Sequence, residues 1–247
     1  MADTNKKLYV VGIGPGAYED MTLRAIRALE GCELIVGYTL YAELIRAHFP
    51  GKEFYVTPMR GETERCGYAL EAAAAGRPTA IVCSGDAGVY GMAGLVYELR
   101  GEAQTPEIEV IPGLTAACTG AALLGAPLTH DFAVISLSDL LTDWADIEKR
   151  LDRAAEAGFS MVLYNPRSRK RQDHLRRACD IVLRHGGPER ACGVARNIGR
   201  EGETFELMPL SRLREYEADM FTTVFIGNPD AKYIGGKLVT PRGYKDV

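Results

Sequence analysis

Val82-Cys83-Ser84-Gly85-Asp86-Ala87-Gly88-Val89-Tyr90-Gly91-Met92-Ala93-Gly94 follows the apolar run Thr79 to Val82 and precedes a helical stretch. A short buried strand that breaks into four glycines, with an aspartate at the bend, lets backbone come close to a small ligand, because glycine carries no Cβ. The segment therefore predicts the strand-to-helix loop of an α/β protein with a small polar ligand docked on it. Two other chemistries are excluded. A nucleophile elbow needs Gly-x-Ser-x-Gly, and Val82 stands two positions before Ser84. A Walker A loop needs Gly-Lys-Ser or Gly-Lys-Thr, and this loop has no lysine. The acidic loop that remains suits ribose hydroxyls or a cationic ligand better than phosphate. The same residues also fit a plain glycine-rich connection whose Asp86 caps the next helix.

Outward from this loop, the first half alternates strand and helix. Leu8-Tyr9-Val10-Val11-Gly12-Ile13 reads as a buried parallel strand, broken by Gly14-Pro15-Gly16 before a helical pattern through Leu23, Ile26 and Leu29. The glycines do not make a dinucleotide fingerprint, since the spacing is Gly-x-Gly-Pro-Gly and Pro15 removes an amide that a pyrophosphate would use. The next strand, Glu33 to Val36, ends in Gly37-Tyr38, where a nicotinamide ribose would need an acid. A helix over Tyr41 to Ala47, a strand near Phe54-Tyr55-Val56, an alanine-rich helix over Glu62 to Ala75, a helix through Leu95 to Leu99 and a strand Ile108 to Ile111 follow. This order predicts a mostly parallel sheet. Pro112-Gly113-Leu114-Thr115-Ala116-Ala117 then opens a small-residue helix, Ala116 to Leu124. Its first amides and the Thr115 hydroxyl can hydrogen-bond a ligand, although Thr115 equally fits an N-cap. The division between domains is expected in the region from Pro112 to Pro127, giving 1–112 and 113–247.

The second half opens with a strand over Phe132 to Leu137 and, after Ser138-Asp139, a helix with Ile147, Leu151 and Ala154 on one face. The strand Ser160 to Tyr164 ends at Asn165-Pro166, and Arg167-Ser168-Arg169-Lys170-Arg171 reads as the opening of a helix that runs to about His185. Four cations in five residues are either a solvated helix face or, just past a strand's carboxyl end, a clamp for substrate carboxylates. Ala191 to Ala195 and Thr204 to Leu207 flank a charged turn, Phe221 to Asn228 supplies a final buried strand, and the tail from Asp230 is polar and Gly-rich. These last strands read as antiparallel.

A chain of 247 residues holds one large domain or two small ones. Its net charge of −4 leaves no basic footprint for nucleic acid. The apolar run after Met1 to Lys7 is too short for a signal-peptide core or a membrane span, so a cytoplasmic protein with no membrane partner is expected. The 6 cysteines are scattered without a Cys-x-x-Cys pair and the 4 histidines form no ligand pair, so free thiols and no metal are expected.

In sequence order, Gly12-x-Gly14-Pro15-Gly16, Gly85-Asp86 with Val89-Tyr90-Gly91, Pro112-Gly113-Leu114-Thr115-Ala116, Tyr164-Asn165-Pro166, Arg196-Asn197 and Thr222-Thr223-Val224-Phe225-Ile226-Gly227 together resemble the tetrapyrrole (corrin/porphyrin) methyltransferase family over almost the whole chain. The stretch Ile135 to Trp144, with Tyr164 to Ser168 and Asn197 to Arg200, is similar to the branch that methylates C-17 of precorrin-3B or of cobalt-precorrin-3. The resemblance implies two α/β domains, the first with a mostly parallel and the second with a mixed sheet, and an active-site cleft between them. It also implies S-adenosylmethionine as methyl donor, S-adenosylhomocysteine as product, a tetrapyrrole substrate of cobalamin biosynthesis and a homodimer. The family's cofactor contacts fall on Pro15, Gly85, Asp86, Val89, Tyr90, Thr115, Ala116, Asn165, Ala195, Asn197 and Thr223. Ala87 and Ala17 depart from the proline and aspartate that many members carry there.

A sulfonium methyl is already activated, so an enzyme that holds it in line with an attacking carbon needs no covalent nucleophile. That agrees with glycines, hydroxyls and one acid in place of a triad. Asp86 either accepts hydrogen bonds from the cofactor or orders its loop. For this branch the resemblance implies ring contraction with methylation at C-17, which calls for an acid or base. Asp139 is the candidate, a helix cap its plainer reading, with Ser138 beside it and Arg167, Arg169 and Arg200 as candidates for substrate carboxylates. The alternatives are methylation at another ring carbon, a nicotinamide oxidoreductase and a non-catalytic nucleotide-binding module.

Overall fold

The computed structural model describes residues 6–168 and 171–244. Contacts within the chain divide it into two units, Met1–Thr115 and Ala116–Val247. The first contains β1 (Lys7–Gly12), α1 (Leu23–Gly31), β2 (Leu34–Tyr38), α2 (Thr39–Arg46), β3 (Glu53–Thr57), α3 (Glu62–Ala74), β4 (Thr79–Cys83), α4 (Ala93–Arg100) and β5 (Glu107–Ile111). All four pairings in its sheet, ordered β3-β2-β4-β1-β5, are parallel.

The continuous apolar runs of β1, β2 and β4 have a physical cause: helices cover both faces of the sheet. Leu8, Val10, Leu34, Val36, Ile81 and Cys83 pack with Cys66, Ala69 and Ala73 of α3 and Val96 of α4. The alternate residues Val11, Ile35, Ala80 and Val82 pack on the other side with Ala25 and Leu29 of α1 and Ile45 of α2. Each large side chain buried this way contributes roughly 1.5–3 kcal/mol. Leu23 departs from the helical pattern read in the sequence: at 69% exposure it opens α1 on the solvent side.

The second unit contains α5 (Ala116–Leu124), β6 (Gly125–Ala126), β7 (Phe132–Ser136), α6 (Trp144–Glu156), β8 (Ser160–Tyr164), α7 (His174–Leu183), β9 (Ala191–Arg196), β10 (Thr204–Pro209), α8 (Leu210–Leu213), β11 (Thr222–Ile226), β12 (Lys232–Ile234) and β13 (Lys237–Val239). Its main sheet, β10-β9-β11-β8-β7, is mixed: β7 and β8 are parallel and the other three pairings antiparallel. One face packs on α6 and α7 through Met161, Leu163, Val224, Ile147, Leu151 and Cys179. The other packs on α5 through Val162, Phe225, Ala117 and Ala121. The small residues of α5 permit that close seat, since a Cβ on Gly120 would stand 2.7 Å from the Phe225 ring.

One expectation changes: α7 starts at His174, so Arg167, Ser168 and Arg171 stand outside it, Ser168 and Arg171 exchanging backbone hydrogen bonds, while Arg169 and Lys170 lie outside the described residues. The polar, Gly-rich tail from Asp230 carries two strands. There β12 and β13 form a hairpin around Gly235 and Gly236, both at positive φ, and β13 pairs with β6. Among the described residues no helix is long and apolar enough to cross a membrane, and no group of His, Cys, Asp and Glu could hold a metal ion.

Candidate active site

Strands β4, β1 and β5 are neighbours, so the loops at their carboxyl ends emerge side by side, the position at which open α/β sheets take ligands. The first two loops are pinned by backbone. Gly14 N–H donates to Gly85 O at 3.1 Å, and Gly85 N–H returns a bond to Gly14 O at 2.7 Å. The third loop lies against both, and glycine is obligatory there: a Cβ on Gly113 would meet Gly85 O at 2.2 Å and Gly12 C at 2.7 Å.

Asp86 ties the cluster together. Its Oδ1 accepts from the N–H groups of Gly88 (2.8 Å) and Val89 (3.2 Å), and its Oδ2 accepts from Gly113 N–H at 2.9 Å. Of the two roles open to this carboxylate, the observed one is ordering the loops. Pro15 is buried beside Gly14, while Gly88, Tyr90, Pro112 and Leu114 form an exposed rim with Ser84 and Thr115 half-buried among them. Tyr90 holds φ 53, uncommon for a side chain of its size, so the turn projects its ring outward at 55% exposure. A hollow of about 210 Å³ adjoins the β4–α4 loop, lined by Tyr38, Met59, Glu62, Arg65, Ser84 and Tyr90 among others. Burial pushes the Cys83 thiol up to about 12, so Cys83 packs as an apolar residue there. The acid that a nicotinamide ribose requires is absent, since β2 ends in Tyr38.

In the second unit, the site candidates sit at the ends of β7, β8 and β9. Asn165 and Asn197 both adopt left-handed backbone, φ 54 and φ 52, which asparagine tolerates better than most side chains. Asn165 Nδ2 donates to Ser136 Oγ at 2.9 Å, and Asn197 Nδ2 to Gly202 O at 3.4 Å. Tyr164 Oη accepts from Ala117 N–H at 2.7 Å, satisfying one of the free donors at the start of α5 next to Ala116. Ala195 and Thr223 are buried partners across β9 and β11.

Asp139 does not cap α6, whose N-cap is Asp143. It belongs to a charged cluster instead. His174 Nε2 lies 3.1 Å from Asp139 Oδ2, and Arg171 Nη1 is 3.7 Å from Oδ1 while donating to Ser138 Oγ. Burial works to raise the Asp139 carboxyl, but the hydrogen bond and charge of His174, with Arg171 nearby, hold it below the usual carboxylate range. The cation at Ser138 and Asp139 is thus Arg171, whereas Arg167 lies 3.8 Å from Glu217 and Arg200 stands over the Phe221 ring at 5.7 Å. Arg169 lies outside the described residues. His174 had no local signal, being 35 positions from its partner and in no motif.

Likeness in both sequence and fold places this chain in one enzyme class. The sequence model of the Tetrapyrrole (Corrin/Porphyrin) Methylases matches residues 7–214, and the chain belongs to that family. It is 46% identical, over 96% of its length and 99% of the relative's, to a probable cobalt-factor III C(17)-methyltransferase of Salmonella typhimurium. It is 39% identical to a precorrin-3B C(17)-methyltransferase of Sinorhizobium sp., covering 96% of each chain. Among solved structures, the methyltransferase CobJ superposes with a TM-score of 0.87 at 36% identity, over 95% of this chain and 99% of that one. A uroporphyrin-III C-methyltransferase of Thermus thermophilus complexed with S-adenosylhomocysteine shares the fold, with a TM-score of 0.72 at 24% identity over 90% of this chain and 97% of that one.

Proposed function

We propose that this chain transfers a methyl group from S-adenosylmethionine to C-17 of a corrin precursor, precorrin-3B or its cobalt-containing counterpart, with contraction of the macrocycle, in cobalamin biosynthesis. The observation that carries this reading is the 46% identity spanning 99% of a relative named as a probable cobalt-factor III C(17)-methyltransferase. The donor set of the first unit fits such a methyl donor: peptide N–H and C=O groups and the hydroxyls of Ser84 and Thr115 suit a nucleoside and an amino-acid moiety, and neither needs a metal or a charged clamp. When bound, S-adenosylmethionine supplies an activated methyl group on a cationic sulfur.

The protein's part is positioning, an advantage of at most about 7–11 kcal/mol. Asp86 holds the β4 and β5 loops together, so that the backbone at Gly85, Val89 and Tyr90 and the Thr115–Ala116 turn meet the donor in a fixed arrangement. On this reading Asn165, Ala195, Asn197 and Thr223 complete the donor's contacts, and Ser138, Arg167, Arg171 and Arg200 meet acetate and propionate arms. Asp139, held ionised by its neighbours, accepts or returns the proton that contraction displaces. The protein acts as a homodimer, which sedimentation equilibrium tests.

Incubating the protein with labelled S-adenosylmethionine and, separately, with precorrin-3B and the cobalt-containing substrate, followed by mass spectrometry, tests the reading. One added methyl at C-17 in a contracted ring is expected. A methyl at another ring carbon, or tight binding of NAD in place of S-adenosylhomocysteine, overturns it.

A further inference from the structure

A catalytic carboxylate needs a partner that fixes its orientation. Resting on the reading of Asp139 as the acid or base, we propose that His174 is a positioning residue for Asp139, itself fixed by Asp173, so that Asp173–His174–Asp139 is an orienting chain. His174 Nδ1 lies 3.2 Å from Asp173 Oδ1, and Nε2 lies 3.1 Å from Asp139 Oδ2. The ring is buried, with 7% of its side chain exposed, whereas Asp139 keeps 38% and Asp173 66%. One carboxylate at each end of a buried imidazole leaves the ring no freedom to rotate.

His174 Nε2 meets Asp139 Oδ2 while Arg171 stands at Oδ1, so each oxygen of the carboxylate has its own partner. The surroundings make the arrangement rigid. The Trp144 ring meets His174 edge-on at 4.5 Å, and Arg177 covers Trp144 at 4.2 Å while donating to Glu148 at 3.3 Å. Among the described residues, the charged groups paired around the histidine are Asp139, Asp173 and Arg171, with Arg177 and Glu148 beyond the tryptophan. A histidine that only filled space would need neither carboxylate, and Asp139 would then have one oxygen facing Arg171 and the other free to turn.

The test compares His174→Phe, His174→Gln and Asp139→Asn in the full chain, reading the single-turnover rate of ring contraction against pH and, separately, the affinity for S-adenosylhomocysteine. His174→Phe keeps the ring against Trp144 but removes both polar contacts. It should slow contraction about 10²-fold, the scale on which a misplaced group costs rate. It should also move the acid limb of the profile up toward the usual carboxylate range and leave S-adenosylhomocysteine affinity unchanged. His174→Gln, whose amide can donate to Asp139 without a charge, should recover most of the rate and part of the limb's displacement. An unchanged rate and limb in His174→Phe, with Asp139→Asn impaired, overturns the proposal and spares the reading of Asp139; an unimpaired Asp139→Asn overturns both. Should His174→Phe fail to fold by circular dichroism, His174→Leu, which also lacks both polar contacts, decides, because a rate and limb at their wild-type positions there overturn the proposal.

Discussion

The two units carry their candidate residues in opposite ways. In the first, one carboxylate, Asp86, is used up on three backbone amides, and the loops meet through glycines too close for any side chain. In the second, side chains meet side chains: Asp139 faces His174 and Arg171, and Arg171 reaches Ser138. A surface of peptide groups suits a ligand that must be held still, and a cluster of titratable groups suits one whose protons must move. Substitutions should therefore separate binding from chemistry along the same division.

The largest effect belongs to the glycine cluster. Gly113→Ala places a methyl 2.2 Å from Gly85 O, and a backbone neighbour cannot give way as a flexible side chain does. Overpacking costs about 1–3 kcal/mol even in adaptable cores. Loss of S-adenosylhomocysteine binding by calorimetry and a fall in Tm are expected. Gly94→Ala is the control: nothing lies within 4 Å of its Cβ, and in α4 it should leave binding intact and raise stability by about 0.5–1 kcal/mol. Equal behaviour of the two variants would break the first half of the comparison.

Asp139→Asn comes next, with a loss of about 10²–10⁴ in the contraction step, the usual worth of a general acid or base. Affinity for S-adenosylhomocysteine, measured by titration, should not change. Asp86→Ala should do the reverse: it strips an acceptor from three amides, costing about 1–3 kcal/mol, and weakens S-adenosylhomocysteine while the proton-transfer step keeps its pH profile. Asp86→Asn, which retains one acceptor oxygen, should fall between wild type and alanine.

The same contrast explains what the sequence made legible. Gly85-Asp86 and Gly12-x-Gly14 stand out because close backbone contact demands a particular residue type at a particular position, and that demand is local. The apolar runs of β1, β2 and β4 declared their burial on both faces for a similar reason. His174 did not stand out, and Arg171 did so only as one of four cations in a stretch, since their roles depend on which strand end a loop returns to, and no spacing encodes that. The basic stretch misled because charge density alone does not mark where a helix begins; Arg171 stands three residues ahead of α7. The β12–β13 hairpin was not read from the sequence, which offered only a polar, Gly-rich tail; positive φ at Gly235 and Gly236 makes them the turn.

The smallest effect sharpens the comparison through pH. Asp139 titrates below its ordinary range in the folded protein, so at neutral pH the ionised carboxylate contributes stability. That contribution is fully present above the unfolded value of about 3.9 and is lost as pH falls through the lower folded value. Because the group is partly exposed, solvent screens much of it. Asp139→Asn removes the titration altogether, so the fall in urea midpoint between neutral pH and the region below about pH 4 should be shallower in the variant than in wild type. Asp86→Asn offers the opposing control. Its amides are donors that the peptide backbone fixes at every pH, so its cost should already be visible at neutral pH. If the acid limbs of wild type and Asp139→Asn superimpose, the second unit's cluster is held by packing around His174 and Trp144 and not by charge, and the distinction drawn between the two units narrows to geometry alone.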